Sequence, residues 1–368
     1  MGYVAAKGGR YAILNAEKLV DYFRLKGRTL PLNVKAIEEQ FRLACDKVMS
    51  EASLYAPELA ALALKQAEGD IIEASFLLRA YRSTLPRIGY SEPVDTEEMF
   101  ILRRISSAFK DIPGGQILGP TRDYIQRLLR FELLDEKKKK KDKSFSHIKE
   151  GELAQKVPKK VPKVVNLLRE EGLLPKPKVE KDEEPYDITR CALVFPLPRS
   201  GVLQAMARGE EGGMMAIAYS SMRGYGDTHP TLAELRVGYV FLKIKHPLTG
   251  KTVKIGEILA TEAEVIAGKP TQAGEKMPQF TLGYGLVFGH NERKAISMAM
   301  LDITMRVQEP KHPAEDQEFV ICHIDSIESS GFTAHWKLPH YVTFQSDLDR
   351  LRKIQKEKNL KIKVKSKK

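Results

Sequence analysis

The first third of the chain repeats its apolar residues at helical spacing. Ile37, Phe41, Cys45 and Val48 recur every three or four positions, which is the period of an amphipathic helix. The stretch PELAALALKQAEG begins with proline and ends with glycine, and DIIEASFLLRAYRSTL begins with aspartate, as helices commonly do. The pattern predicts helices over residues 11–26, 33–50, 57–69, 70–85, 96–110 and 123–134.

The pattern changes near residue 186, where runs rich in β-branched and aromatic residues alternate with turns. Asn291 is placed to cap a helix, ERKAISMAMLDITMRV. We predict strands over residues 235–245, 254–259, 279–288 and 318–324, and a C-terminal amphipathic helix over 346–356. The predicted fold class is α+β, with a mostly helical N-terminal domain followed by a mixed α+β domain.

The charge is concentrated in two segments. The chain has 368 residues and a net charge of +12, but residues 137–178 and 350–368 each sum to +9 and the remainder to −6. Such blocks are typically solvated, although a polyanion or a membrane surface is an alternative contact. We predict a helical domain at residues 1–134 and a Lys/Pro-rich linker or insert at 135–185, with a short helix at 164–171. An α+β domain follows at 186–349, and a basic tail at 350–368.

Three scattered cysteines without a CxxC pair do not predict a disulfide framework. No apolar run reaches the roughly 18 residues of a membrane span, and the N-terminus lacks a secretory signal. We therefore expect a cytoplasmic protein without a membrane partner. Because the acidic remainder does not suit nucleic acid, an RNA-binding role would depend on the two basic segments alone.

Two histidines in AHWKLPHYV, His335 and His340, lie five positions apart. This spacing separates the imidazoles on a regular helix or strand, so they converge only if the segment turns, which Pro339 favours. Two imidazoles on a bent loop can bind a zinc-like divalent metal if further ligands complete the site. The alternative is two ordinary loop histidines.

Two glycine-containing segments are candidate anion sites. In TLGYGLVFGHNERKA, Gly283 and Gly285 precede a predicted helix start where backbone N–H groups and Arg293 can hold a phosphate. These glycines can equally relieve packing. In RGYGDTHP, Arg223 suits an anion and Tyr225 can stack on a base or sugar, while an ordinary surface loop is the alternative.

These segments together resemble one family, the I subunit of the bacterial carbon–phosphorus lyase core complex of phosphonate breakdown. The resemblance runs in order over nearly the whole chain. It is carried by MGYVAAKGG, ELAALALKQAEGDIIEASFLLRAYRSTL, RRISSAFKDIPGGQILGPTRDY, AYSSMRGYGDTHP, FTLGYGLVFGHNERKAISMAMLD and GFTAHWKLPHYVTFQ. Two regions look unlike the family, the insert at 135–181 and the lysine-rich C-terminus.

The resemblance implies a transferase subunit that works with G, H and J subunits and with ABC-type L and K subunits. The implied reaction displaces adenine from MgATP by an alkylphosphonate and gives α-D-ribose 1-alkylphosphonate 5-triphosphate. The subunit alone is implied to be a nucleosidase on ATP or GTP, with water as the nucleophile. The alternative is a non-catalytic scaffold that holds the J subunit and an interface metal.

The resemblance also implies site residues. His335 and His340 match family ligands to a zinc-like ion whose remaining ligands come from the J subunit. Displacement at the ribose anomeric carbon passes through an oxocarbenium-like state, and the anionic substrates need cations. The cations Arg223, Arg293 and Lys337 are therefore predicted to bind the anionic groups. Tyr225 and Tyr284 are predicted to contact the sugar or base, and Gly283 and Gly285 to bind phosphate. The sequence nominates no general acid.

Overall fold

The computed structural model describes residues 9–135, 160–177, 184–225, 229–268 and 278–365. The chain divides into two compact units. One unit is Val34–Asp325, which we call the central unit. The other joins the two chain ends, Met1–Asn33 and Ser326–Lys368, and we call it the end unit.

The elements mix helices with one sheet, as expected for an α+β fold. In chain order the helices are α1 (Gly9–Leu25), α2 (Val34–Gln40), α3 (Arg42–Ala52), α4 (Pro57–Gln66), α5 (Ile71–Ser83), α6 (Val165–Glu170), α7 (Arg199–Arg208), α8 (Glu211–Ser220), α9 (Glu292–Thr304), α10 (Gln317–His323), α11 (Ser326–His335) and α12 (Tyr341–Lys365). The strands are β1 (Phe100–Ile105), β2 (Thr231–Lys245), β3 (Thr252–Gly268) and β4 (Phe280–Phe288).

The four strands form one antiparallel sheet in the order β1-β2-β3-β4. The long β2–β3 hairpin, predicted from its aromatic and β-branched runs, is its centre. On β3, Ala263 and Val265 face one side of the sheet, where α9 and neighbouring helices complete the main hydrophobic core. Helix α9 packs closely on β4, and Gly283 allows this because it has no side chain. A Cβ at this position would stand only 2.0 Å from the Ala299 carbonyl oxygen.

Helices α2 to α5 surround a second hydrophobic core, which contains Val48, Ala60 and Leu78. The predicted start signals of α4 and α5 are confirmed. Pro57 occupies the first turn of α4. The Asp70 carboxylate caps α5 by accepting hydrogen bonds from the backbone N–H groups of Ile72 and Glu73.

Residues 160–174 cover the opposite face of the sheet. Val165, Leu168 and Leu174 are buried against that face, and the predicted short helix of this segment is α6. Backbone carbonyls of Val161 and Pro162 accept hydrogen bonds from buried arginines of β1 and β2. This part of the Lys/Pro-rich stretch is therefore a packed layer of the fold and does not have the solvated character expected of it.

The structure corrects four predicted elements. The helix predicted over 33–50 is two helices, α2 and α3, which are separated at Phe41. Residues 96–110 contain β1 and no α-helix, because Phe100–Ile105 pairs with β2. Residues 318–324 form helix α10 and no strand, and the side chain of Asp316 caps it through the N–H of Phe319. Residues 123–130 are irregular before a 3-10 turn at Phe131–Asp135. Short apolar runs suit helices and strands alike, and pairing with β2 is what makes Phe100–Ile105 a strand.

Within the described part of the chain, no helix has both the length and the apolar character that crossing a bilayer requires.

Candidate functional site

The predicted histidine pair lies at a turn in the end unit. Helix α11 ends at His335, the chain turns through Pro339, and α12 begins at Tyr341. The turn brings the imidazole centroids of His335 and His340 to 5.2 Å from each other. Lys337 lies exposed in the same turn, and Trp336 stacks on His340 with ring centroids 5.4 Å apart.

Backbone contacts fix the tautomer of both imidazoles. Nδ1 of His335 bonds to the carbonyl oxygen of Phe332, and Nδ1 of His340 lies 2.6 Å from the carbonyl oxygen of Leu338. Since a carbonyl only accepts, each Nδ1 carries a proton, and in the neutral form of either imidazole Nε2 is the nitrogen with the lone pair. Neutral imidazole nitrogens held this way fit a zinc-like ion. No cluster of three or more potential ligands occurs among the described residues.

Tyr284 belongs to a second site, a buried ionic cluster on the sheet face opposite α9. Its hydroxyl donates to Oε1 of Glu262 at 2.8 Å, and Oγ1 of Thr96 donates to the same oxygen at 2.8 Å. Nζ of Lys163 lies 2.7 Å from Glu262 and 3.0 Å from Glu264. A lysine from the Lys/Pro-rich stretch thus forms ion pairs with two carboxylates of β3. We call these five residues the Tyr284 cluster.

Burial sets the protonation of the Tyr284 cluster. It raises the pKa of Glu264 to about 7, while Lys163 opposes the shift. Oε2 of Glu264 is buried and has no hydrogen-bond partner among the residues that the structure describes. Burial and then Glu262 raise the pKa of Tyr284 well above its ordinary value, so its hydroxyl stays protonated and acts as a donor. The cluster therefore offers a fixed hydroxyl beside a carboxyl that titrates near neutrality.

On residue type alone Glu262 and Glu264 are candidate catalytic carboxylates or ordinary surface charges, and no motif in the sequence connects them to Tyr284. The structure buries both, at 2% and 4% exposure. Their separation by two positions in a strand is the signal that places both carboxylates on one face. The partner cation could not be read in the same way, because Lys163 lies 99 residues from Glu262.

The other predicted anion contacts are dispersed in the central unit. Gly283 and Gly285 lie under α9, where a Cβ at Gly285 would be 2.2 Å from the carbonyl oxygen of Ala295. These two glycines thus allow close packing of helix on strand. Arg293 on the first turn of α9 pairs with Glu211 at 2.5 Å, although 65% of its side chain is exposed.

Asn291 and Lys294 also differ from the expectation of an anion site at the start of α9. Asn291 directs its side-chain amide to the carbonyl oxygens of Asp46 and Phe288 and does not cap the helix. Nζ of Lys294 is buried 2.7 Å from Oγ of Ser50. Burial lowers the pKa of Lys294 to about 8. Lys294 is therefore enclosed in the fold.

The RGYGDTHP segment is described only in part. Arg223 is exposed on a π-helical turn at Ser221–Tyr225 that continues α8. Residues 226–228 and the side chain of Tyr225 lie outside the described residues. The role of this segment stays a prediction.

Residues 2–358 match the family described as bacterial phosphonate metabolism protein (PhnI).

Three relatives resemble the chain over almost its whole length. HtxH of Stutzerimonas stutzeri, provisionally named a C-P lyase subunit protein, is 52% identical over 360 residues, which cover 96% of each chain. Two relatives are named alpha-D-ribose 1-methylphosphonate 5-triphosphate synthase subunit PhnI. The one from Rhizobium meliloti (strain 1021) is 46% identical over 362 residues, 96% of this chain and 95% of the relative. The one from Escherichia coli (strain K12) is 47% identical over 364 residues, 97% of this chain and 99% of the relative.

Proposed function

This chain belongs to the bacterial phosphonate metabolism protein (PhnI) family, and from that membership we propose that it is the subunit that displaces adenine from MgATP by an alkylphosphonate. The carrying observation is the match over residues 2–358, with relatives named as subunits of a ribose 1-methylphosphonate 5-triphosphate synthase. Its membership makes it a subunit of a C–P lyase complex in phosphonate metabolism. The transfer chemistry and the ATP substrate belong to the proposal.

In the proposed reaction, a phosphonate oxygen attacks the anomeric carbon of the ATP ribose as the bond to the purine nitrogen breaks. Adenine leaves with a proton, and α-D-ribose 1-alkylphosphonate 5-triphosphate forms. With water in place of the phosphonate, the isolated chain releases the purine from ATP or GTP as a nucleosidase. Mg²⁺ accompanies the nucleotide as part of the substrate.

Residue roles follow from chemistry and position. The protonated Tyr284 hydroxyl and the Tyr225 ring are assigned to the sugar or base, and Arg223, Arg293 and Lys337 to the anionic groups. Gly283 and Gly285 act by holding α9 close to β4. His335 and His340 are assigned to a zinc-like ion through their free Nε2 atoms, and such an ion would supply Lewis-acid or cross-linking chemistry when bound.

The proposed partners are the G, H and J subunits of the core complex and the ABC-type L and K subunits, in the cytoplasm where MgATP is available. The J subunit is assigned the remaining ligands of the zinc-like ion. The proposal gives nucleic acid and membrane no role.

Adenine release tests the function directly. The purified chain with MgATP should release adenine measurable by liquid chromatography, and Arg223→Ala should reduce the rate. With the G, H and L subunits and methylphosphonate present, mass spectrometry should detect the ribosyl phosphonate triphosphate. If neither the chain nor the assembled complex releases the base, the catalytic role is wrong and the scaffold role takes its place.

A further inference from the structure

A histidine just before α9 is held between a carboxylate and a guanidinium, all within the central unit. Nε2 of His290 lies 2.7 Å from Oε1 of Glu292, and its Nδ1 lies 3.3 Å from Nη1 of Arg42. A carboxylate only accepts a hydrogen bond and a guanidinium only donates one, so Nε2 carries the proton and Nδ1 carries the lone pair. These contacts therefore describe a neutral imidazole with its basic nitrogen toward Arg42.

The backbone on both sides of His290 is fixed by side chains. The N–H of His290 donates to Oδ2 of Asp46 at 3.0 Å, and the N–H of Asn291 donates to Oγ1 of Thr261 at 3.0 Å. Gly289 has a φ of +72°, and a Cβ there would stand 2.4 Å from the Cβ of Asp46. The imidazole is thus positioned by the fold itself, as chemistry at a defined atom requires.

A third group holds the carboxylate that contacts the imidazole. Nε of Arg103, on β1, lies 2.9 Å from Oε1 of Glu292, and only 3% of the Arg103 side chain is exposed. This ion pair keeps the Glu292 carboxylate beside Nε2 of His290. A basic nitrogen whose ring is oriented by a second group, itself held by a third, is the arrangement of a general base.

Arg42, at the start of α3, has donors to spare. Among the residues that the structure describes it forms no ion pair with a carboxylate, and its one hydrogen bond is the contact with Nδ1 of His290. A guanidinium presents five N–H donors in a planar fork that matches phosphate oxygens. A cation of this kind beside a basic nitrogen suits a ligand that carries phosphate groups next to the reacting atom.

We propose that His290 is the general base for the attacking water when the isolated chain hydrolyses the nucleotide, with Glu292 as its positioning residue and Arg42 as a contact for the triphosphate. The inference rests on the proposed function. The water oxygen bonds to the anomeric carbon, and the bond to the purine nitrogen breaks with its electron pair leaving on the purine. The water proton passes to Nδ1 of His290. The purine takes up a proton from solvent, and His290 returns its own to solvent.

This base has little to do when the nucleophile is a phosphonate. A fully ionised alkylphosphonate has no proton to lose before its oxygen attacks, whereas water does. Loss of His290 should therefore slow hydrolysis more than transfer. A general defect in the fold would slow both reactions alike, so the ratio of the two rates reports on the base.

His290→Gln tests the base and retains an amide that can donate to Glu292. Adenine release from MgATP by the isolated full chain should lose about 100-fold in kcat. Transfer to fully ionised methylphosphonate by the assembled complex should lose less than about tenfold. His246→Gln is the control, because Nδ1 of His246 also accepts a hydrogen bond, from the N–H of Leu248 at 3.2 Å. It should keep both rates.

Variants of the two neighbours separate positioning from binding. Glu292→Gln leaves the imidazole in place and should lower hydrolysis more than transfer, so it repeats the test if His290→Gln does not fold. Arg42→Ala should raise the KM for MgATP about tenfold in both reactions with little change in kcat, and Arg42→Lys should restore part of the loss. In wild type the hydrolysis rate should fall toward acid pH as the base becomes protonated, and His290→Gln should lack this fall.

Equal losses of hydrolysis and transfer in folded His290→Gln and Glu292→Gln overturn the proposal, as does a His290→Gln variant as active as His246→Gln. An isolated wild-type chain that releases no adenine, beside a complex that makes the transfer product, overturns the base and leaves the proposed function standing. Absence of both reactions in wild type overturns the proposed function itself. The two failures are therefore distinguishable.

Discussion

The hydroxyl of Tyr284 on β4 donates a hydrogen bond to Glu262 on β3, with 2.8 Å between the two oxygens. Glu262 also accepts from Lys163 and Thr96, so three donors converge on its carboxylate. The contact connects a predicted substrate residue to a buried charge that the sequence did not indicate. Removing the Tyr284 hydroxyl and measuring both stability and adenine release shows whether this hydrogen bond serves the fold or the reaction.

Tyr284→Phe should cost about 1 kcal/mol of unfolding free energy, since Glu262 keeps its other two donors. Adenine release should fall about tenfold, because the proposed contact with sugar or base loses the hydroxyl oxygen, which can still accept a hydrogen bond while its proton is donated to Glu262. Denaturant titration and a steady-state adenine assay measure the two effects. Tyr219→Phe, at a tyrosine that is 58% exposed, is the control. Equal activity of both variants would remove Tyr284 from the site.

Glu264→Gln should change how stability depends on pH. The pKa of Glu264 is raised by burial from 4.5 to about 7, so the folded state favours the protonated form. The contribution of protonated Glu264 to the unfolding free energy is complete below the pKa that this carboxyl has in the unfolded chain. It is lost as the pH rises through the pKa of Glu264 in the folded protein. The wild-type unfolding free energy should therefore fall more steeply than that of the variant between about pH 4.5 and about pH 7.

Thermal melts across that range measure the effect of Glu264→Gln. Glu257→Gln changes a half-exposed carboxylate on the same strand, with 51% exposure, and should keep the wild-type slope. Parallel slopes for wild type and Glu264→Gln would show that Glu264 is ionised in the folded protein throughout.

Gly283→Ala should destabilise the central unit by about 3 kcal/mol, because the new methyl group meets the Ala299 carbonyl oxygen and not a flexible side chain. Gly256 on the same sheet has open space around it. Gly256→Ala should therefore stay within about 0.5 kcal/mol of wild type. Urea denaturation compares the two variants, and a similar loss in both would contradict the close packing of α9 on β4.

His335→Ala and His340→Ala should each lower the zinc content of the assembled complex, measured by mass spectrometry of the metal. Adenine release by the isolated chain should be unchanged, since the proposed contacts with sugar and base come from other residues. His323 is a suitable control, because its Nδ1 also bonds to a helix carbonyl, that of Phe319. The metal assignment would be wrong if the His335 and His340 variants kept the zinc content of wild type and of His323→Ala.

Local signals in the sequence predicted the elements that local chemistry determines. Pro57 and Asp70 mark helix starts, and the β2–β3 hairpin follows from two long runs around a turn. The turn between His335 and His340 follows from Pro339. Each depends on neighbours in the chain, so one sequence contains enough information to predict it.

Distant partners determined what the sequence did not predict. FILRRI becomes β1 because β2 pairs with it, and EFVICH becomes helix α10 in its packed setting. Glu262 and Glu264 are buried in ion pairs with Lys163, which comes from a distant segment rich in lysine and proline. Residue type and spacing contain no information about such partners.

The long connection between β1 and β2, which contains helices α6 to α8, has a consequence for synthesis on the ribosome. Strand β1 ends at Ile105 and its partner begins at Thr231, so roughly 130 residues are translated after β1 before its partner strand begins to form. At about 5–20 residues per second this delay is on the order of 10 s. Helices α2 to α5, which share a core of their own, can collapse during that time. Nascent chains stalled before residue 231 should therefore show a protease-resistant fragment that contains α2 to α5 and excludes β1.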